Sequence, residues 1–206
     1  YNPLTPGEKE KQLLIGLLLY EAATHTNTSG VFKAYHRGFG GYSKDALKRI
    51  LTPVRLEYPV LIDSSGPCRV FRADASTLAR RLRDAGEVPY IAYIDPPYNQ
   101  HQYGSNYHLL KSIALWDKPP VDNRRNTDGR FLYKAAIRRD WTETRSPYCY
   151  REKARRAFEA LLDSLEAAYL LISYSTEGII PFEELRDMCA KKGKLDMVTN
   201  EYTKYR

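Results

Sequence analysis

Three features of the sequence predict an α/β layer fold with a largely parallel sheet. Strand-like and helix-like runs alternate from residue 69 onward. A β-branched and aromatic run over 88–94 stops abruptly at Asp95-Pro96-Pro97-Tyr98, and a helix-periodic run over 151–168 passes directly into a short apolar run at 169–174. Alternation of this kind belongs to strands lying side by side with helices packed over them. The 206 residues, with a hydrophobic fraction of 43%, suffice for one domain or one domain carrying an insertion.

The elements follow in chain order. Thr5-Pro6-Gly7-Glu8 reads as a helix start, with Thr5 as the capping hydroxyl, Pro6 at the first helical position and Glu8 closing a capping box. The helix is expected to run to about Ala23, and the Thr-, Asn-, Ser- and Gly-rich stretch 25–41 to be a loop. Ser43 is expected to cap a short helix through Leu51, ended by Pro53. Val70 and Phe71 suggest a short strand over 69–72, after which Asp74 is placed to cap a helix from Ala75 to about Ala85, stopped by Gly86. The run 88–94 is a buried strand with Pro89 confined to its start. A helix is expected over 106–116, with Tyr107, Leu110, Ile113 and Ala114 on one face. Residues 118–150 are polar, basic and without period, as in a long insertion loop. Ala154, Phe158, Leu161, Leu162 and Leu165 recur at helical spacing over 151–168. A strand at 169–174, a helix at 181–192 ended by Gly193 and a further strand at 195–199 complete the prediction.

The longest apolar stretch, 13–20, is eight residues even with Gly16 counted, whereas a membrane-spanning helix needs about 20. No membrane partner is expected, and the absence of a secretory leader favours a cytoplasmic protein. Cys68, Cys149 and Cys189 are odd in number and widely spaced, so they are expected to be buried thiols in a reducing compartment. His25, His36, His101 and His108 show no ligand spacing, and no metal is expected. Two deviations point to a partner: a net charge of +7 and 17 tyrosines. Positive charge with flat aromatic rings suits a phosphate-rich, base-bearing polymer.

Ligands of open α/β sheets sit outside the carboxyl ends of the strands, where Asp95-Pro96-Pro97-Tyr98 lies. Tyr93-Ile94-Asp95-Pro96-Pro97-Tyr98-Asn99 resembles the D-P-P-Y motif of S-adenosyl-L-methionine-dependent, adenine-specific DNA methyltransferases of restriction-modification type. The resemblance continues through Gln102-Tyr103, Asn106-Tyr107-His108-Leu109-Leu110, Ser173-Tyr174-Ser175 and Glu177-Gly178, covering roughly residues 70–206. It implies a Rossmann-like methyltransferase core, a helical N-terminal segment over 1–59 that recognises the target, and a catalytic half over 60–206 with the basic insertion at 118–150. It also implies methyl transfer from S-adenosyl-L-methionine to the exocyclic amine of adenine in double-stranded DNA, with a cognate restriction endonuclease as a further partner.

The chemistry explains the residue types. An adenine amine is a poor nucleophile because its lone pair is delocalised into the ring, so catalysis reduces to positioning and electrostatics. The Asp95 carboxylate and the Pro96 carbonyl are suited to accept from the amine. Pro96 and Pro97 remove two backbone donors and fix φ, while Tyr98 offers a flat face to a base flipped from the duplex. By resemblance these four residues are the catalytic set, and Asp74, Ala75, Asp95 and Pro96 contact the cofactor. Asp74 as a plain helix cap, and the tetrad as a plain strand-ending turn, are the alternatives; Asp74 is able to serve both roles.

The family pattern also calls for a glycine-rich turn after a first strand. Gly38-Phe39-Gly40-Gly41 has the glycines but follows Lys33, His36 and Arg37 rather than an apolar strand, so the cofactor loop is expected before Tyr1. Between Arg124 and Arg156 eleven Lys or Arg face four acids, an excess equal to the net charge of the whole chain. Phe131, Tyr133, Trp141, Tyr148 and Tyr150 are interleaved. The expected nucleic-acid contacts are Tyr98, Tyr103, Asn106, Tyr107, Arg124, Arg125, Lys134, Arg138 and Arg139, with Lys33 and Arg37 from the N-terminal segment, where His36, Lys44, Lys48 and Arg49 also carry charge; a solvated surface is the alternative. His108 is expected to pack or orient rather than act as a base. An RNA base methyltransferase and a non-catalytic DNA-binding or specificity fragment are the rival readings.

Overall fold

The computed structural model describes residues 6–28, 30–40, 45–63, 66–132 and 137–201. Thr5, Gly41, Ser43, Lys44, Tyr133 and Lys134, to which the sequence reading assigns roles, lie outside the described residues. In chain order the elements are α1 (Pro6–Thr24), α2 (Ala46–Leu51), α3 (Ala75–Asp84), β1 (Ile91–Ile94), α4 (Tyr103–Asn106), α5 (His108–Leu115), α6 (Arg151–Ser164), β2 (Tyr169–Ile172) and α7 (Phe182–Ala190). Short 3-10 turns occupy Arg139–Thr144 and Pro147–Cys149. The chain divides into two compact units, one made of Tyr1–Cys68 with Gln102–Arg145 and the other of Arg69–His101 with Ser146–Arg206.

The second unit is the α/β part. Its strands β1 and β2 are parallel neighbours in the register Ile91↔Tyr169 to Ile94↔Ile172, and α6 and the preceding 3-10 turn make the crossover's later part. Side chains alternate across a strand, so one face carries Ala92, Ile94, Leu170 and Ile172 and the other Ile91, Tyr93, Tyr169 and Leu171. The first face meets the core; the second is exposed. Phe158, at 0% exposure, and Leu162 of α6 fill that core together with Ile94, Tyr148, Leu161, Ile180, Leu185 and Met188. The helical spacing read from the sequence is therefore the packing face of α6. The helix stops at Ser164 rather than 168, because Leu165 turns extended and packs against the core from beyond the helix end.

In this unit Asp74 caps α3 as expected, accepting from the Thr77 amide at 2.9 Å. Gly86, at φ +72°, lets the chain turn out of the helix, where a side chain would be strained. Two expected strands are absent among the described residues. Val70 and Val198 are 86% and 87% exposed, and neither segment pairs with β1 or β2. Apolar composition alone makes no strand without a neighbour to complete the ladder.

The first unit is helical. α1 packs against α5, which is the helix expected over 106–116; it begins at His108, and a separate short helix, α4, precedes it. The Asn106 carbonyl accepts the Phe32 amide at 2.7 Å and so leaves the helical ladder, while Tyr107 breaks the helix at φ −112°, ψ 26°. The segment after α5 is not without order either. Arg125 and Phe131 form an antiparallel bridge around Gly129, whose φ of +73° the tight turn requires. Cys149 is buried as expected and Cys189 half-buried, but Cys68 is exposed, since it lies in an extended segment away from either core. Among the described residues no helix is long and apolar enough to cross a membrane.

Candidate functional site

The tetrad leaves the carboxyl end of β1. Ile94 is buried, Asp95 exposed, Pro96 buried, Pro97 half-buried and Tyr98 39% exposed, so the carboxylate and one ring face remain accessible while the proline between them is anchored. Parallel pairing brings the end of β2 alongside. Ser173 donates its amide to the Ile94 carbonyl at 3.0 Å, and the Ile179 amide donates to the Tyr98 carbonyl at 2.9 Å. The tetrad is thus framed by the turn that follows β2. Asn99 Oδ1 accepts the His101 amide at 3.0 Å and closes the loop on its other side.

Asp74 belongs to the same unit. Its Oδ1 accepts from both the amide and the hydroxyl of Thr77, at 2.9 and 3.0 Å, which uses one carboxylate oxygen and leaves the other outside the cap. The turn Pro147–Cys149 ties this corner to the tetrad loop. Tyr148 is hydrogen-bonded to Ser76 and feels the charge of Asp74; burial, then that charge, pushes its phenol up to about 12. Its hydroxyl also donates to the Ala157 carbonyl at 3.2 Å, and the neighbouring Cys149 thiol donates to the His101 carbonyl at 3.5 Å. Tyr148, counted among the interleaved aromatics, is therefore a core residue rather than a base-stacking one. No residue pattern announced the Tyr148–Cys149 brace or the Ile179–Tyr98 bond, since both depend on segments far apart in sequence.

Ala75 is exposed at the start of α3, beside Asp74. An accessible carboxylate oxygen accepts hydrogen bonds of the kind that ribose hydroxyls donate, so Asp74 is a residue that could hold the adenosine end of the expected cofactor. Among the described residues no group of three or more His, Cys, Asp or Glu could hold a metal ion.

The remaining expected contacts lie in the first unit. Tyr103 and Tyr107 are part-exposed and meet edge to face at 5.5 Å. Arg125 is exposed, donates to the Gly129 carbonyl at 2.6 Å and lies 3.9 Å over the Phe131 ring. Lys33 is half-buried and Arg37 exposed. Gly38 lies in a bend over 37–39, and among the described residues no strand precedes it.

Asn106 is 5% exposed at the α4–α5 break, and its amide oxygen finds no hydrogen-bond partner among the described residues. One expectation, Arg138 as a phosphate contact, is corrected here. Arg138 is 8% exposed and forms a bidentate pair with Asp117 at 2.6 and 2.7 Å and another with Asp140 at 2.8 and 3.0 Å, while its fifth N–H donates to the Ser112 hydroxyl at 3.3 Å. A guanidinium whose fork is filled by two carboxylates has no donors left for phosphate. Arg138, and then Lys111, hold Asp140 well below the usual carboxylate range. Asp122 likewise pairs with Arg124 at 2.8 Å and with Arg139, both of whose side chains remain 62% exposed.

His108 packs as expected: buried on α5, its Nε2 donates to the Phe32 carbonyl at 3.1 Å. Burial is the main cause that lowers its pKa from 6.5. The folded chain then binds fewer protons here than the unfolded one, so the stabilisation is complete above pH 6.5 and is lost as the pH falls through the window below it. Denaturant midpoints measured from pH 7.5 down to 5.5 are expected to fall, and His108→Gln to flatten that dependence; equal slopes in both proteins would show that another group titrates.

The chain matches, over residues 16–188, the model of the D12 class N6 adenine-specific DNA methyltransferases. It is 33% identical over 193 residues to the type II methyltransferase M.NlaIII of Neisseria lactamica, across 94% of this chain and 50% of that protein. It is 33% identical over 199 residues to the modification methylase LlaI of Lactococcus lactis subsp. lactis, across 95% of this chain and 29% of that one. Against the type II methyltransferase M.FokI of Planomicrobium okeanokoites the identity is 31% over 186 residues, across 90% and 25% of the respective chains. The chain thus spans half the length, or less, of these curated relatives. No solved structure matches it.

Proposed function

Because this chain belongs to the D12 class N6 adenine-specific DNA methyltransferases, we propose that its α/β unit carries the amine-binding site of a DNA adenine methyltransferase acting in restriction-modification. The observation that carries the reading is the Asp95–Tyr98 tetrad at the carboxyl end of β1, with an accessible carboxylate and ring on a buried proline. β1, β2 and their helices are then part of a Rossmann-like core, residues 1–59 a target-recognition segment, and a cognate endonuclease the natural counterpart.

Asp95 and the Pro96 carbonyl accept the two hydrogens of the adenine amine, which localises the nitrogen lone pair for attack. Pro97, with no amide hydrogen, keeps the loop from offering a competing donor, and Tyr98 stacks on the extruded base. When bound, S-adenosyl-L-methionine supplies an electrophilic methyl group on a sulfonium. Asp74 and Ala75 hold its adenosine end, and Asp95 is the acceptor nearest the proton that the amine releases. Placing acceptors where positive charge grows on the nitrogen is the type of preorganisation that contributes most to such reactions.

The test is transfer of labelled methyl from S-adenosyl-L-methionine to unmethylated genomic DNA and, in parallel, to structured RNA, with the product base identified. N6-methyladenine in DNA is expected. Label confined to RNA would overturn the substrate, and salt-dependent DNA affinity with neither label nor cofactor binding, both in this chain and in a longer form that carries the expected cofactor loop, would mean a binding module. For the basic segment, Arg125→Ala is expected to lower the slope of log affinity against log salt by about 1. Arg138→Ala is expected to lower stability without changing that slope, because its charge is already spent inside the protein; the same loss of slope in both variants would contradict this division.

A further inference from the structure

The turn after β2 is built around one tyrosine. The Tyr174 hydroxyl accepts the Ile180 amide at 3.1 Å, and Ile180 is 2% exposed. The Tyr174 ring meets the Tyr98 ring edge to face, with centroids 6.4 Å apart and an interplanar angle of 77°. Gly178 passes so close that a Cβ there would lie 2.2 Å from Tyr174 Cε1 and 2.8 Å from Cζ. One residue further on, the Ile179 amide reaches the Tyr98 carbonyl at 2.9 Å. Tyr98 is therefore held twice by the same turn, at its backbone by Ile179 and at its ring by Tyr174.

These contacts limit what Tyr174 does. Its ring is half-buried against the core, and moving it outward would strip a buried amide of its acceptor, a costly loss. It is thus committed inward, and the ring left accessible at this corner is that of Tyr98, at 39% exposure. We infer that Tyr174 is a positioning residue whose ring sets the orientation of the Tyr98 ring, with Gly178 leaving the space it occupies. The inference rests on the reading of Tyr98 as the face that receives the base, and it names what aims that face.

The test uses the whole chain with 3-fluorotyrosine placed at position 98, comparing wild type, Tyr174→Phe, Tyr174→Leu and Gly178→Ala. Three quantities are read: the fluorine resonance of Tyr98, the thermal midpoint, and kcat and KM for methyl transfer to DNA. Tyr174→Phe keeps the ring and is expected to lower the midpoint while leaving the fluorine resonance in place. Tyr174→Leu and Gly178→Ala are expected to shift and broaden the resonance and to lower kcat about 10- to 100-fold with KM little changed. Should Tyr174→Leu not fold, Gly178→Ala carries the same test, since it displaces the ring without emptying its site. An unmoved resonance in whichever of these two folds would overturn the inference, as would equal kcat losses in Phe and Leu variants, which would trace the effect to the hydroxyl. A resonance that responds while the wild type, including a longer form that carries the expected cofactor loop, is inactive toward DNA would overturn the methyl-transfer reading and leave the positioning intact.

Discussion

Asp95→Ala is expected to lower single-turnover methyl transfer by about 10²- to 10³-fold, the scale of losing one preorganised electrostatic partner of a reacting group. The side chain is exposed and begins a loop whose fixed points are Pro96, Ser173 and Ile179, so its removal leaves that framework standing. Thermal midpoint and DNA affinity are accordingly expected to stay near those of the wild type. Asp95→Asn is expected to fall between the two, because its amide oxygen still accepts one hydrogen bond while the charge is gone. Retention of full transfer by Asp95→Ala would remove the tetrad carboxylate from the chemistry.

The second large effect concerns stability. Phe158→Ala is expected to cost about 3–5 kcal/mol, the usual range for emptying a buried phenylalanine site. Phe158 has 0% exposure and packs in the cluster that includes Ile94, the residue immediately before Asp95. Chemical denaturation of the whole chain measures it, and Phe158→Leu is expected to lose much less because most of the volume is kept. A loss below about 1 kcal/mol in Phe158→Ala would mean that the site collapses freely, and that α6 does not set the floor beneath the tetrad.

The parts of the fold legible in the sequence are those whose signal is local. The apolar spacing of α6, the Asp74 cap of α3 and the stop at Gly86 each depend on residues within a few positions of one another. The tetrad was legible for the same reason, being a contiguous string after a strand. What escaped was non-local. The strands expected around Val70 and Val198 needed neighbours that composition does not reveal. The helix expected over 106–116 forms as α5, but its start shifts to His108 because the Asn106 carbonyl takes the amide of Phe32, which is far away in the chain.

Charge shows the division most clearly. Counting from Arg124 to Arg156 gives a strongly basic segment, but Asp117 and Asp122 lie just before that window and fold back onto Arg138, Arg124 and Arg139. Tertiary structure alone decided that Arg138 is an internal clamp and that Arg125 stands exposed on a tight turn. By itself the sequence determined which chemistry is present: a carboxylate, two prolines and a tyrosine at the end of a strand, in a chain rich in cations and aromatic rings. It determined this because those groups act as neighbours along the backbone. Which of the other groups face outward, and what holds Tyr98 in place, was settled only by packing, since burial and ion pairing arise between residues that the chain order keeps apart.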